Sequence, residues 1–191
     1  MNLNIPYMET DNKLLNDAYR IAAGDIVGNI VYYQNGLLTE EKPCMIAGLD
    51  YNTPWTRDTA INIWNALSIL SPEVSKNTLL AVLEEEEGNI YIGGQYWDSI
   101  IWMIGAQEYC RFHKDDNFYR LAFEAGRNSV HRLEEDEFDE EDGLFRGPAV
   151  YGDGIAAYPD KYSKCPNQGS GILEWVDYPG NPVYPKGYGI P

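Results

Sequence analysis

The segment NTPWTRDTAINIW, residues 52–64, places an indole, a cation and an anion where a helical pattern begins. Trp55 offers a flat apolar face on which the C–H surface of a sugar can stack. Asp58 at a helix start is explained by capping of unpaired backbone N–H groups. Capping does not explain Arg57, because a cation near a helix N-terminus opposes the helix dipole. We therefore expect Arg57 to pair with a carboxylate or to donate hydrogen bonds to ligand hydroxyls. We interpret the segment as one wall of a sugar-binding pocket.

A second segment, GGQYWDSIIWMI, repeats this arrangement about forty residues later. Each copy has a loop, a Trp, an Asp and an apolar helix with a second Trp, and each is followed by another helix. Such a repeat predicts an array of α-hairpins, in which alternate helices point the same way. The starts of the second and fourth helices would then share one rim, which carries the candidate substrate-binding residues Trp55, Arg57, Asp58, Tyr96, Trp97 and Asp98.

A third group lies in DGLFRGPAVYGDGIAAYP, residues 142–159. Arg146 and Tyr151 are further candidates for substrate binding. Asp153 lies between two glycines, which leave room for a substrate to approach closely. Burial against neighbouring tyrosines would raise its pKa, as a general acid at neutral pH requires. The alternative is an ordinary Asp-Gly turn.

The apolar periodicity predicts the elements that hold these residues in place. We expect five helices, at residues 11–34, 58–70, 71–86, 97–113 and 115–133. A connection of mixed, hairpin-like character follows the first helix, and GNIYIGGQY is predicted to be a loop. The expected organisation is a single domain over residues 1–191, with helical hairpins at 11–133 and a Gly-, Pro- and aromatic-rich active-site loop region at 134–191.

The amino-acid composition limits the classes of molecule that the protein is expected to bind. The formal net charge is −16, so the surface repels nucleic acid and anionic lipid. No apolar run approaches the roughly 18 residues needed to span a bilayer. We therefore expect neither nucleic acid nor membrane as a partner, whereas a neutral oligosaccharide is compatible with this charge.

The chain has three cysteines without metal-like spacing, and His113 and His131 stand alone. We expect free thiols, no metal site and no cofactor. The N-terminus lacks a basic segment followed by an apolar one, so no signal peptide is predicted. Cytoplasmic localisation is the expectation, with a leader lost from a longer precursor as the alternative.

The motif PWTRD resembles the W-x-R-D element of glucoamylase-like six-hairpin glycosidases. GGQYWDS followed by DGLFRGPAVYGDGIAAYP is similar to the trehalase and processing α-glucosidase branches of the same superfamily, and the resemblance spans residues 14–159. It implies an (α/α)6 barrel with its active site at the N-terminal ends of the inner helices. Arg57 and Asp58 would hold the non-reducing sugar, Asp153 would be the general acid, and Glu174 in LEWVD is the second candidate for that role.

A six-hairpin barrel has twelve helices, whereas five are predicted here. The expected fold is therefore all-α: an α-hairpin array forming the first half of an (α/α)6 toroid. The chain alone would be incomplete and would need a missing C-terminal half or a second copy to complete the barrel. The catalytic base of the superfamily would lie beyond Pro191.

The function predicted from these observations is an inverting glycoside hydrolase that acts on α-glucosides or related oligosaccharides. One carboxylic acid would protonate the leaving oxygen while a second carboxylate activates water on the opposite face. The alternatives are a non-catalytic carbohydrate-binding protein and a purely structural α-hairpin protein, whose tryptophans would belong to the core.

Overall fold

The computed structural model describes residues 5–48, 50–94, 97–141 and 143–145. Contacts divide the chain into two compact units, Met1–Val130 and His131–Pro191. The candidate site residues that can be placed all lie in the first unit.

The described residues form five helices. α1 is Lys13–Gly28, α3 is Pro72–Ala81, α4 is Asp98–His113 and α5 is Asp116–Glu137. α2 begins as Thr56–Asn62, continues through a π-helical stretch, Ile63–Leu67, and ends with Ser68–Leu70.

Six short strands pair as three antiparallel hairpins within the described ranges. β1 is Ile30–Tyr33 and β2 is Lys42–Met45; β3 is Leu83–Glu86 and β4 is Asn89–Ile92; β5 is Phe138–Asp139 and β6 is Leu144–Phe145. In the second hairpin Leu83 lies opposite Ile92, and Glu84 lies opposite Tyr91.

The expectation of an all-α hairpin array is therefore wrong: the fold is a small mixed α/β domain of helices and two-stranded hairpins. The first predicted helix ends at Gly28, and the β-branched and aromatic run IVYY that follows it pairs as a strand. The third ends at Ala81, and the next residues join GNIYI in a hairpin that buries Leu83. The expected half-toroid is wrong for the same reason, because it required that array. Completion by a missing half or a second copy, expected from the unclosed ring and from the missing catalytic base, stays a prediction.

Local signals explain where two of the helices begin. Pro72 occupies the first turn of α3 directly after Ser71, where its missing N–H costs nothing. Asp115 precedes α5, and its Oδ1 accepts a hydrogen bond of 3.0 Å from the backbone N–H of Phe118. This is N-capping, which satisfies a donor that the helix itself leaves unpaired.

The core of the first unit forms where α2 packs on α4. Gly105 permits this contact, because a Cβ there would lie 2.8 Å from Cα of Ala60. Trp102 is fully buried and donates a hydrogen bond of 3.3 Å to the carbonyl oxygen of Leu79. Other fully buried apolar side chains include Phe118, Ile63, Leu67, Leu79, Leu83 and Val74. The packing of α2 on α4 thus fixes where the first turns of these two helices lie.

α1 has no buried residue, and Leu14 and Ile21 on it are exposed. Ile26 near its end packs against the core. Across the described ranges, no helix combines the length and the apolar character that crossing a bilayer requires.

The described part of the second unit contains the end of α5 and the β5–β6 hairpin. The rings of Phe138 and Phe145 lie edge to face with centroids 5.1 Å apart. His131 Nδ1 lies 3.0 Å from Glu134 Oε2 one turn along α5.

Candidate functional site

The starts of α2 and α4 lie together at the end of β4. Thr56, the first residue of α2, donates a buried hydrogen bond of 2.8 Å from its hydroxyl to the carbonyl oxygen of Gly93. Gly94 follows with φ of +115°, a conformation that side-chain-bearing residues rarely adopt. A Cβ there would lie 2.8 Å from both Thr56 Oγ1 and Asp98 Oδ2. The glycine pair therefore brings the two helix starts close together.

An ion pair joins the first turn of α2 to the first turn of α4. Arg57 Nη1 donates to Asp98 Oδ1 at 3.2 Å, and the two side chains are 18% and 3% exposed. Of the two roles expected for Arg57, pairing with a carboxylate is what the structure shows. Contact with ligand hydroxyls stays a prediction.

Beside this pair is a cavity of about 260 Å³. Trp55 forms part of its wall, and the Tyr51 ring packs against that indole at 70° with centroids 5.7 Å apart. The lining comes from the β1–β2 connection, the loop before α2 and its first residue, the end of α3, the β3–β4 hairpin with the residues that flank it, and the start of α4. Its residues are Asn35, Thr53, Pro54, Trp55, Thr56, Ala81, Val82, Leu83, Glu84, Gly93, Gly94 and Asp98.

The remaining described candidates lie near the cavity without lining it. Trp97 is buried at the N-cap position of α4. Asp58 lies in the first turn of α2, where Trp55 occupies the N-cap position. Neither Asp58 nor Asp98 is thus the N-cap residue of its helix, although an acidic group in a first turn still complements the helix dipole.

Five sequence-predicted residues lie outside the described residues. They are Tyr96, Arg146, Tyr151 and the two candidates for the general acid, Asp153 and Glu174. Their roles stay predictions.

Two features of the cavity were missed by sequence reasoning. Glu84 on β3 lines it, and Gly93 makes room for that carboxylate, since a Cβ at residue 93 would lie 2.5 Å from Glu84 Oε1. Both belong to a hairpin that sequence reasoning assigned to the end of a helix and a loop. The available signal was the run NIYI directly after Gly88, which is typical of a strand that follows a turn.

The described thiols and imidazoles show structural contacts or raised pKa values. Burial raises the pKa of the Cys44 thiol to about 12, and burial likewise raises that of Cys110, so neither is a ready nucleophile. His113 Nε2 lies 2.6 Å from the carbonyl oxygen of Ser68, which gives that ring a structural contact. No group of three or more possible metal-ligating side chains occurs among the residues whose positions are described.

The site can therefore offer an aromatic face, a carboxylate held by an arginine and a second carboxylate around a space of limited size. Comparison with known protein families, with curated proteins and with solved structures gives no match to this chain.

Proposed function

We propose that the cavity binds a sugar residue and that the protein is an inverting glycoside hydrolase acting on α-glucosides or related oligosaccharides. The observation that carries this proposal is the Arg57–Asp98 ion pair beside Trp55 on the wall of one cavity. The motif-level resemblance of PWTRD supplies the reaction class.

The lining suits the two surfaces of a sugar ring. Trp55 is half-buried, so part of its indole face remains available for the C–H face of the ring, and the Tyr51 contact holds it in place. Asp98 also lines the cavity, and carboxylate oxygens are acceptors for the hydrogen bonds of hydroxyl groups. Apolar walls with a few fixed polar groups are the usual make-up of a small-molecule site.

The size of the cavity favours a single sugar residue. Its volume of about 260 Å³ is close to the lower limit of ligand pockets, which is roughly 300 Å³. The rest of an oligosaccharide would therefore extend out of the cavity. This fits an enzyme that acts at a chain end.

The charges favour a neutral ligand. Arg57 and Asp98 offset each other, and Glu84 adds a negative charge to the lining. An anionic sugar would meet that carboxylate and a protein of net charge −16.

In the proposed reaction, a carboxylic acid donates its proton to the glycosidic oxygen as the bond from that oxygen to the anomeric carbon breaks. A second carboxylate removes a proton from water, whose oxygen bonds to the anomeric carbon from the opposite face. Asp153 is the favoured acid and Glu174 the second candidate. The described residues would position the sugar for this step.

The proposal is tested by measuring binding and turnover separately with maltose, trehalose and nitrophenyl α-glucoside. We expect residues 1–191 to bind sugar saturably, and a protein that supplies both carboxylates to release the β-anomer, with Asp153→Asn removing turnover but not binding. Glu174→Gln is the matched comparison, and loss of turnover in that variant alone would transfer the acid role to Glu174. Absence of binding to every sugar would contradict the proposal.

A second candidate function is carbohydrate binding without catalysis. The buried ion pair of Asp98 favours this function, because a carboxylate that pairs with Arg57 is suited to a positioning role rather than to proton transfer. Tight binding together with no turnover on any of the three substrates would select this alternative.

A further inference from the structure

Glu84 differs from the acidic residues beside it in where its carboxylate lies. The strand β3 carries three consecutive glutamates, and only the side chain of Glu84 lines the cavity within the described lining. Successive side chains on a strand point to opposite faces, so Glu85 points away from Glu84. Glu86 lies opposite Asn89 at the turn end of the hairpin, one residue pair farther from the helix starts than Glu85.

The backbone beside Glu84 is shaped to receive this carboxylate. A Cβ at Gly93 would lie 2.5 Å from Glu84 Oε1 and 2.8 Å from the carbonyl oxygen of Val82, both closer than real Cβ contacts allow. At the next residue, a Cβ at Gly94 would lie 2.8 Å from Asp98 Oδ2. Two adjacent glycines therefore make room for two carboxylates on the same cavity.

A structural role does not account for Glu84. The ion pairs among the described residues do not include it. Glu is also disfavoured in strands, where β-branched and aromatic side chains pack better. Glu85 and Glu86 are equally exposed and equally unfavoured, so Glu84 is set apart by its place on a cavity beside an indole and an ion pair, where its carboxylate can contact a ligand.

We propose that Glu84 is a further ligand-binding residue of this cavity, whose carboxylate accepts hydrogen bonds from the hydroxyl groups of a neutral sugar. This inference rests on the proposed function. Because Arg57 offsets Asp98, the charge of Glu84 also makes the cavity select neutral sugars over sugars that carry a carboxylate or a phosphate.

The test compares Glu84→Gln with Glu85→Gln, a matched change of charge on the opposite face of the same strand. Maltose affinity is measured by calorimetry and folding by thermal midpoint. We expect Glu84→Gln to lose about tenfold or more in affinity, as for a hydrogen bond to a charged group. Glu85→Gln should stay near the wild-type affinity, and both midpoints should stay near that of the wild-type protein.

Two further measurements separate a specific contact from a general effect of charge. Glu84→Asp keeps the charge but shortens the side chain by one methylene, and it should also lose affinity for maltose. The ratio of glucuronide to maltose affinity should rise in Glu84→Gln, because the repulsion of the anionic sugar is removed, and should not rise in Glu85→Gln.

Unchanged maltose affinity in Glu84→Gln, together with lost affinity in Trp55→Ala, would overturn this inference and leave the proposed function standing. Equal losses in Glu84→Gln and Glu85→Gln would overturn it as well, because they would reflect net charge alone. Failure of the wild-type protein to bind any sugar would overturn both.

Discussion

Arg57 at the start of α2 and Asp98 at the start of α4 form an ion pair across 41 residues of sequence, with Nη1 3.2 Å from Oδ1. The Asp98 side chain is 3% exposed, so its charge is tolerated because a cation lies next to it. The pair also explains why a cation can lie at a helix start, where the helix dipole alone would oppose it. It links the helices on which the candidate site is built.

Removing Arg57 should therefore affect folding as well as binding. Arg57→Ala leaves a buried carboxylate without this partner, and we expect it to lower the free energy of unfolding by about 3 kcal/mol. A double-mutant cycle with Asp98→Ala, measured by urea unfolding, should give a combined loss smaller than the sum of the two single losses. Arg20→Ala, which removes an exposed ion pair with Asp17 on α1, is the control and should change the free energy of unfolding much less. Additive losses at residues 57 and 98 would mean that the pair does not couple the two helices.

Gly94 is needed both for its backbone conformation and for its lack of a side chain. Gly94→Ala forces a Cβ to within 2.8 Å of Thr56 Oγ1 and Asp98 Oδ2 at φ of +115°, so both stability and sugar affinity should fall. Gly88→Ala is the matched control, since Gly88 also has positive φ, +80°, but has nothing within 4 Å. We expect that control to cost about 1 kcal/mol of unfolding free energy from strain alone, and Gly94→Ala to cost more. Equal costs would show that crowding at the helix starts contributes nothing.

Two helix glycines should respond to alanine with opposite signs. Gly105→Ala places a Cβ 2.8 Å from Cα of Ala60 at the contact of α2 with α4, and overpacking of this kind costs roughly 1–3 kcal/mol. Gly24→Ala on α1 meets nothing within 4 Å, so it should stabilise by roughly 0.5–1 kcal/mol through higher helix propensity. Urea unfolding of both variants measures the difference. Stabilisation by Gly105→Ala would contradict the close contact of the two helices.

Asp115 should stabilise the protein at neutral pH and lose this effect in acid. The hydrogen bond from Lys76, followed by that from the backbone N–H of Phe118, lowers the pKa of Asp115. A lowered pKa in the folded state gives stability above the unfolded pKa that disappears as the pH falls through the folded pKa. Asp115→Ala should thus cost about 1 kcal/mol at pH 7, and the cost should shrink below about pH 4. Asp116→Ala, which removes an exposed acid one residue later, should show a smaller cost at pH 7. A cost for Asp115→Ala that is independent of pH would exclude this origin.

The helices that carry the site could be located from the sequence, whereas the β3–β4 hairpin was assigned to the end of a helix and a loop. Asp98 and Pro72 begin helices close to where the periodicity and turn residues place them, because these signals are local. LEEEE has the composition of a helix, yet it forms a strand because Leu83 is buried opposite Ile92. That choice depends on contacts formed in three dimensions, which override propensity.

The same distinction applies to the candidate site. Trp55, Arg57 and Asp98 could be singled out, because the repeat of Trp and Asp marks two helix starts. Glu84 could not, since its place on the cavity depends on the register of β3 with β4 and on the space beside Gly93. An acidic residue within a run of acidic residues carries no local signal of its own.

Calorimetric titration of maltose into wild type, Trp55→Ala and Trp64→Ala measures whether the cavity beside Arg57 and Asp98 binds sugar. Trp64 on α2 is 53% exposed and is not part of the described cavity lining, which makes it the matched control. We expect saturable one-to-one binding by the wild-type protein, a loss of roughly tenfold or more in Trp55→Ala, and wild-type affinity in Trp64→Ala. Unchanged affinity in Trp55→Ala, or equal losses in the two tryptophan variants, would contradict sugar binding at this cavity.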